Sequence, residues 1–118
     1  VLDWEICALG DPLMDLGNSL AYWIQDDDPP GLRNLAVQPS NAPGMLKRSE
    51  ILELYQHRTG VDTSNFTFYQ VYGYWRLVVI LQQIYFRYFH GQTLDQRFKS
   101  FGVSAQHLGE HCEKLISP

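Results

Sequence analysis

VLDWEICALGDPLMDLG, residues Val1–Gly17, carries most of the chemical information in the chain. Val1 and Leu2 are apolar and lead into Asp3-Trp4-Glu5, and Ile6, Cys7, Ala8 and Leu9 follow. The pattern reads as the end of a buried strand that delivers two carboxylates, Asp3 and Glu5. Alternation along a strand puts both on one face. Gly10 breaks the run. Asp11-Pro12 then reads as a helix start, with Asp11 as N-cap and Pro12 at the first helical position, where a missing N–H costs nothing. Asp15 falls in that first turn, where the helix dipole favours negative charge.

Two carboxylates two residues apart suit a hard divalent cation. Magnesium takes oxygen ligands, commonly one or two carboxylates plus substrate phosphates. On spacing alone the competing reading is that Asp3 and Glu5 are solvated or hydrogen-bonded turn residues. The wider string favours the metal. Leu2-Asp3-Trp4-Glu5, then Gly10-Asp11-Pro12-Leu13, then Asp15-Leu16-Gly17 resembles the metal-binding segment of the aminoglycoside phosphotransferase family, which shares the protein-kinase-like fold. Leu54-Tyr55 followed by Arg58-Thr59-Gly60 resembles the Y-x-x-R-T-G segment of one branch of that family, and the long aromatic helix around Tyr69–Tyr88 fits as well.

The resemblance implies an ATP-dependent phosphotransferase. In it Asp3 is the counterpart of the aspartate in the kinase D-F-G motif and holds magnesium bridging the ATP phosphates. Glu5 assists the second metal or its waters. Asp15, with Asp11, braces the catalytic loop rather than touching metal. The family's catalytic loop, H-G-D with a downstream N, has no counterpart here, nor do its glycine-rich phosphate loop and small-lobe lysine. The expectation is therefore a mainly α, single helical subdomain over residues 1–118, the C-terminal part of a kinase-like large lobe, with a short N-terminal strand and no catalytic residue of its own. The nucleotide, a small-molecule hydroxyl acceptor and the missing N-terminal part of the same protein are the implied partners.

Composition agrees with a compact helical unit. The chain has 118 residues, 45% apolar and 19% charged, with a net charge of −4. Roughly two-thirds of the unfolded surface of such a chain can be buried. An acidic balance argues against nucleic acid as the main partner. Cys7 and Cys112 form no C-x-x-C, so a reduced cytosolic setting is expected rather than a disulfide scaffold. No signal peptide is visible.

The spacing of Leu13, Leu16, Leu20 and Ile24 predicts a first helix from Pro12 to about Gln25, with Gly17 permitting close backbone packing. Asp26-Asp27-Asp28 invites a metal, yet a solvated acidic turn is the plainer reading. Pro29, Pro30, Pro39 and Pro43 punctuate a long connection over 29–44, where composition gives no role. A second helix runs from about Lys47 to Thr59, burying Ile51, Leu52, Leu54 and Tyr55 and closed by a left-handed Gly60. Asn65-Phe66-Thr67 spells a glycosylation sequon but reads as a helix start. The third helix, about Thr67 to His90, is apolar nearly all round and so is expected to be buried on most sides, with Trp75 in the core and Arg76 needing a carboxylate or carbonyl partner. Arg76, Gln82, Gln83 and Arg87 break its apolar run below the ~18–20 residues of a membrane span. Its aromatic stripe reads as core rather than cofactor pocket, and Gly73 suggests a close helix approach. Thr93 and Gln96 have capping-box spacing, a break is expected at Gly102, and a last helix is expected from Ser104, its N-cap, to Ile116.

His107-Leu108-Gly109-Glu110-His111 matches H-x-x-E-H, a zinc-protease signature. Too few residues follow to supply a third ligand, so a solvated terminal helix is the reading kept. The alternative to the enzyme is a non-catalytic helical interaction module with a kinase-like sequence. An aminoglycoside pocket would present many carboxylates to a polycation, and Asp26–Asp28 is the one cluster of that kind; hydroxyacyl or other alcohols are the alternative acceptors. Without a preceding strand, Val1–Ile6 should pair with another chain or lose its strand conformation. Exposed apolar surface should favour a two-fold homodimer.

Overall fold

The computed structural model describes Leu2 and residues 4–117, apart from the side chain of Ile6. Five helices follow in order: α1 (Pro12–Ala21), α2 (Pro30–Arg33), α3 (Arg48–Thr59), α4 (Thr67–Phe89) and α5 (Phe101–Ile116). Three-residue-per-turn helices lie at Trp4–Ile6, Pro39–Asn41 and Gln96–Ser100. The chain is mainly α, and no strand occurs among the described residues. Where the sequence predicts the strand end, Trp4–Ile6 is a single tight turn closed by Cys7 N–H donating to the Trp4 carbonyl at 3.1 Å. With no neighbouring strand among the described residues, a local turn is how the backbone satisfies part of its hydrogen bonding. Asp3 lies outside the described residues.

α1 begins as the sequence dictates. Asp11 is extended and its carboxylate accepts from Leu13 N–H at 2.9 Å, with Pro12 at the first helical position. The helix stops at Ala21, four residues short of expectation, because Tyr22 and Trp23 N–H turn back onto Ser19 and Leu20 carbonyls. Trp23 Nε1 then donates to the Leu46 carbonyl at 2.9 Å, drawing the chain away from the helix axis. Leu13, Leu20 and Ile24 are buried all the same. The expected long connection is partly structured: α2 and the Pro39–Asn41 turn lie within it, each started by a proline. α3 ends on Gly60 at φ 74°, the left-handed cap read from the sequence. Its face is shallower than expected, with Ile51, Leu52 and Tyr55 half-buried and Leu54 39% exposed.

α4 is the axis of the molecule, packed by α1 on one side and α5 on another. Gly17 and Gly73 meet at the α1–α4 crossing. A Cβ on Gly73 would run into the Gly17 carbonyl, and one on Gly17 into the Tyr69 carbonyl, so both positions require glycine. One cluster of buried side chains, including Tyr74, Leu77, Leu81 and Leu108, lies between α4, α5 and α2; a second, with Leu13, Leu20 and Phe66, lies under α3. α4 is not buried on most sides. Tyr74 is fully enclosed, but Trp75 is 56% exposed and Phe68, Phe86 and Phe89 also face outward. Arg76, also exposed, stacks on the Tyr72 ring at 5.9 Å instead of finding a carboxylate.

At the C-terminal end Asp95, not Thr93, caps Gln96–Ser100, accepting from Arg97 N–H at 3.0 Å. That turn runs directly into α5. No break occurs at Gly102, which packs against the Tyr85 ring inside the helix, and Ser104 is an interior residue. No helix among the described residues is long and apolar enough to cross a membrane.

Candidate functional site

The acidic N-terminal stretch divides into three parts. Asp3, the expected metal ligand, lies outside the described residues. Glu5 sits on the Trp4–Ile6 turn, exposed and with no ion-pair partner among the described residues. Asp11 is held from two directions: Leu13 N–H on one oxygen and the Tyr69 hydroxyl on the other, the latter at 2.6 Å. The Tyr69 hydroxyl, followed by the Leu13 N–H, holds the Asp11 carboxyl below the usual carboxylate range, and the same bond pushes the Tyr69 phenol up. Asp15 is exposed in the first turn of α1.

The start of α1 is thus fixed to α4 through Asp11, 58 residues from Tyr69 in sequence. No three His, Cys, Asp or Glu side chains among the described residues gather into a group that could hold a metal. A magnesium ion does not need such a group, because one or two carboxylates and the phosphates of a bound nucleotide complete its shell. An exposed, unpaired Glu5 is the right donor chemistry for that role.

The acidic run at Asp26–Asp28 is not simply a solvated turn. Asp28 is buried, accepts from Gln25 N–H at 2.8 Å, and takes both Arg48 amino groups at 2.8 and 2.5 Å. Asp27 pairs with Lys47 at 2.5 Å at the surface. Arg48 also lies 5.7 Å from the Tyr74 ring centre, and His111 meets that ring edge-on at 5.4 Å. Burial is the largest influence and works against the Arg48 charge, but the Asp28 hydrogen bonds, with the charges of Tyr74, Asp28 and Asp27, together raise the guanidinium above its ordinary value. Burial pushes the Tyr74 phenol and the Cys112 thiol up and His111 down. Arg48 and Tyr74 had no signal in the sequence. Their partners lie 20 or more residues away, and neither belongs to a motif.

Of the H-x-x-E-H residues, His107 and Glu110 are exposed and His111 is turned toward Tyr74. The histidines and Glu110 line a small cleft with Lys114 but do not converge as metal ligands among the described residues. Cys7 and Cys112 are both free thiols, the first exposed and the second buried.

An apolar cavity of about 220 Å³ opens between the end of α1, α4 and α5, walled by Leu35, Leu77, Ile84 and Phe101 with Asn34 and Ser104 at its edge. It touches α1 at Ala21, the opposite end from Asp11, roughly 15 Å away at 1.5 Å per residue. It is therefore remote from the acidic stretch.

No family model and no solved structure matches the chain. Among curated proteins it is 31% identical over 112 residues to acyl-CoA dehydrogenase family member 10 of Mus musculus, a match covering 93% of this chain and 10% of that protein. It is 31% identical over 98 residues to acyl-CoA dehydrogenase family member 11 of Mus musculus, covering 81% of the chain and 12% of that protein. With member 11 of Homo sapiens the identity is 29% over 113 residues, covering 93% and 14%. The chain is thus similar to one segment of these proteins, and it spans 10–14% of the length of the relatives cited.

Proposed function

We propose that this chain is the metal-binding and substrate-side segment of a kinase-like phosphotransferase, which moves a phosphoryl group from ATP to an alcohol of a small molecule. The observation that carries the reading is the string Asp3-Trp4-Glu5, Gly10-Asp11-Pro12, Asp15-Leu16-Gly17, together with the way Asp11 is locked. Asp11 caps α1 and is tied to α4 by Tyr69, which anchors the chain just after the segment whose sequence carries Asp3 and Glu5. Asp3 and Glu5 would hold magnesium, which neutralises phosphate charge as the group is transferred. The phosphate grip and the catalytic base would be supplied by polypeptide outside these 118 residues. The chain alone should accordingly be inactive.

The acceptor is better read as an uncharged or anionic alcohol than as an aminoglycoside. Asp27 and Asp28 are engaged by Lys47 and Arg48 and are not available to a polycation. The relatives are named for acyl-CoA dehydrogenases, which favours a hydroxyacyl acceptor.

A second reading, a non-catalytic interaction module, draws on the outward-facing aromatics of α4. Calorimetric titration of the longer polypeptide with ATP separates the two. Magnesium-dependent nucleotide binding that Asp3→Asn abolishes is expected. Absence of nucleotide binding, or binding indifferent to both magnesium and Asp3→Asn, would favour the module.

A further inference from the structure

The apolar recess beside the end of α1 is larger than ordinary packing leaves. Protein interiors fill to the density of organic crystals, and few voids exceed one water molecule. This one is about 220 Å³. An apolar cavity of roughly 150 Å³ already takes a benzene molecule. The chain makes the space by its own path. α1 ends at Ala21, where Tyr22 and Trp23 N–H turn back onto Ser19 and Leu20 carbonyls, and the Trp23 indole is tethered to the Leu46 carbonyl. The helical turn expected over 22–25 is therefore missing beside the recess, which Ala21, Tyr22 and Ile24 line. The floor is well covered: Ala21, Leu77 and Leu81 are 2%, 7% and 5% exposed. On the α5 side Ser104 lies next to Phe101, a small side chain that leaves the space open.

The chemistry of the recess is uniform. Its walls are aliphatic apart from Tyr22 and Phe101, and no Asp, Glu, Lys, Arg or His lines it. Polar side chains enter at Asn34, Ser100 and Ser104. Asn34 and Ser100 are exposed, which puts the polar end at the mouth and the hydrocarbon at the floor. Filled to the density of an interior, the recess holds roughly nine or ten non-hydrogen atoms.

We propose that this recess is a binding site for a small uncharged amphiphile, a hydrocarbon body the size of an octyl chain with one hydroxyl or carbonyl oxygen at the mouth beside Asn34 and Ser100. Apolar walls with a few placed polar groups are the ordinary make-up of a small-molecule site. The other occupants fit worse. A polypeptide strand would carry main-chain N–H and C=O groups against walls that offer them no partners. A leucine or valine side chain inserted from another segment would leave most of the space empty. A charged ligand would lose its hydration where no opposite charge lines the recess. The recess meets α1 at the end opposite Asp11, so the proposal is independent of the phosphotransfer reading, and its test reads binding and not turnover.

Calorimetric titration of the longer polypeptide that carries this segment, with straight-chain 1-alkanols from butanol to dodecanol as probes, tests the proposal. Saturable one-to-one binding is expected. It should tighten roughly fourfold per added CH₂ and stop tightening at roughly eight or nine carbons, when the recess is full. Octanoate, the same chain with a charge, should bind at least roughly tenfold more weakly than octanol. Ser104→Phe, which fills the recess from α5, should lose octanol binding with circular dichroism unchanged. Ile84→Ala trims a half-buried wall residue and should move the length limit outward by roughly two or three carbons. That variant carries the test should Ser104→Phe fail to fold. No saturable binding, which would mean that the recess is closed or filled by the polypeptide itself, would overturn the proposal. So would affinity that climbs to dodecanol without a limit, a limit that Ile84→Ala leaves in place, octanoate binding as tightly as octanol, or octanol binding that survives in a folded Ser104→Phe.

Discussion

The Asp11 carboxylate is the residue on which the acidic stretch turns. It caps α1 and accepts the Tyr69 hydroxyl, and its carboxyl is held below the usual range mainly by that bond. A lowered folded-state pKa means that the contribution is complete above the unfolded value of about 3.9. It is lost as pH falls through the lowered folded value. Tyr69→Phe should therefore melt earlier than wild type at neutral pH, and the two curves should converge in acid. Thermal melts from neutral pH down to acid check this; a gap that stays constant with pH would mean the bond carries no charge-assisted component. The capping half of Asp11 was legible in the sequence, because an N-cap is a local relation between a side chain and the N–H two residues on. The Tyr69 half was not, and neither was the buried Asp28–Arg48 pair. Both depend on helices separated in sequence being brought together by packing.

Among the elements, α4 shows where periodicity misleads. Its apolar residues are numerous enough to suggest burial all round, yet the core takes one side and Phe68, Trp75, Val79, Phe86 and Phe89 face outward on another. Counting apolar residues merges the two sides. Trp75→Ala on the exposed side should cost below about 1 kcal/mol. Tyr74→Ala, one position along, should cost roughly 3–5 kcal/mol as a large core deletion. Denaturant melts of the pair decide which side holds the core, and equal losses would contradict the assignment. The helix crossing gives a matched test with glycine. Gly73→Ala forces a Cβ against the Gly17 carbonyl and should destabilise by roughly 1–3 kcal/mol or more. Gly109→Ala on α5 meets nothing within 4 Å and should stabilise by roughly 0.5–1 kcal/mol. Both glycines sit in helices and both gain the same methyl group, so opposite signs isolate the packing. The close approach at Gly17 and Gly73 was readable in advance because a glycine inside an apolar helix has few other uses. The start of α5 was not. Gly102 reads as a breaker, but contact with Tyr85 keeps it helical.

At the scale of the molecule, α1, α4 and α5 form a helical unit, with an N-terminal stretch whose Leu2, Trp4 and Leu9 side chains are exposed. The radius of gyration is 15.5 Å, against roughly 13.5 Å for a compact chain of this length. That excess is consistent with a unit whose apolar surface is not wholly turned inward. The mainly α class and the order of the long helices followed from hydrophobic spacing and caps. At Trp4–Ile6, the described part of the expected strand, the chain is a single turn instead, because strands are stabilised by neighbours and not by their own residues. The proposed role of Asp3 is to supply the metal carboxylate of a phosphotransferase. Its most direct test is phosphoryl transfer from ATP to hydroxylated small molecules by the longer polypeptide that carries this segment, wild type against Asp3→Asn. Magnesium-dependent transfer is expected, falling by orders of magnitude in Asp3→Asn, with circular dichroism and melting temperature unchanged. Near-normal turnover in a folded Asp3→Asn protein, or no transfer by the wild type to any alcohol, would contradict it.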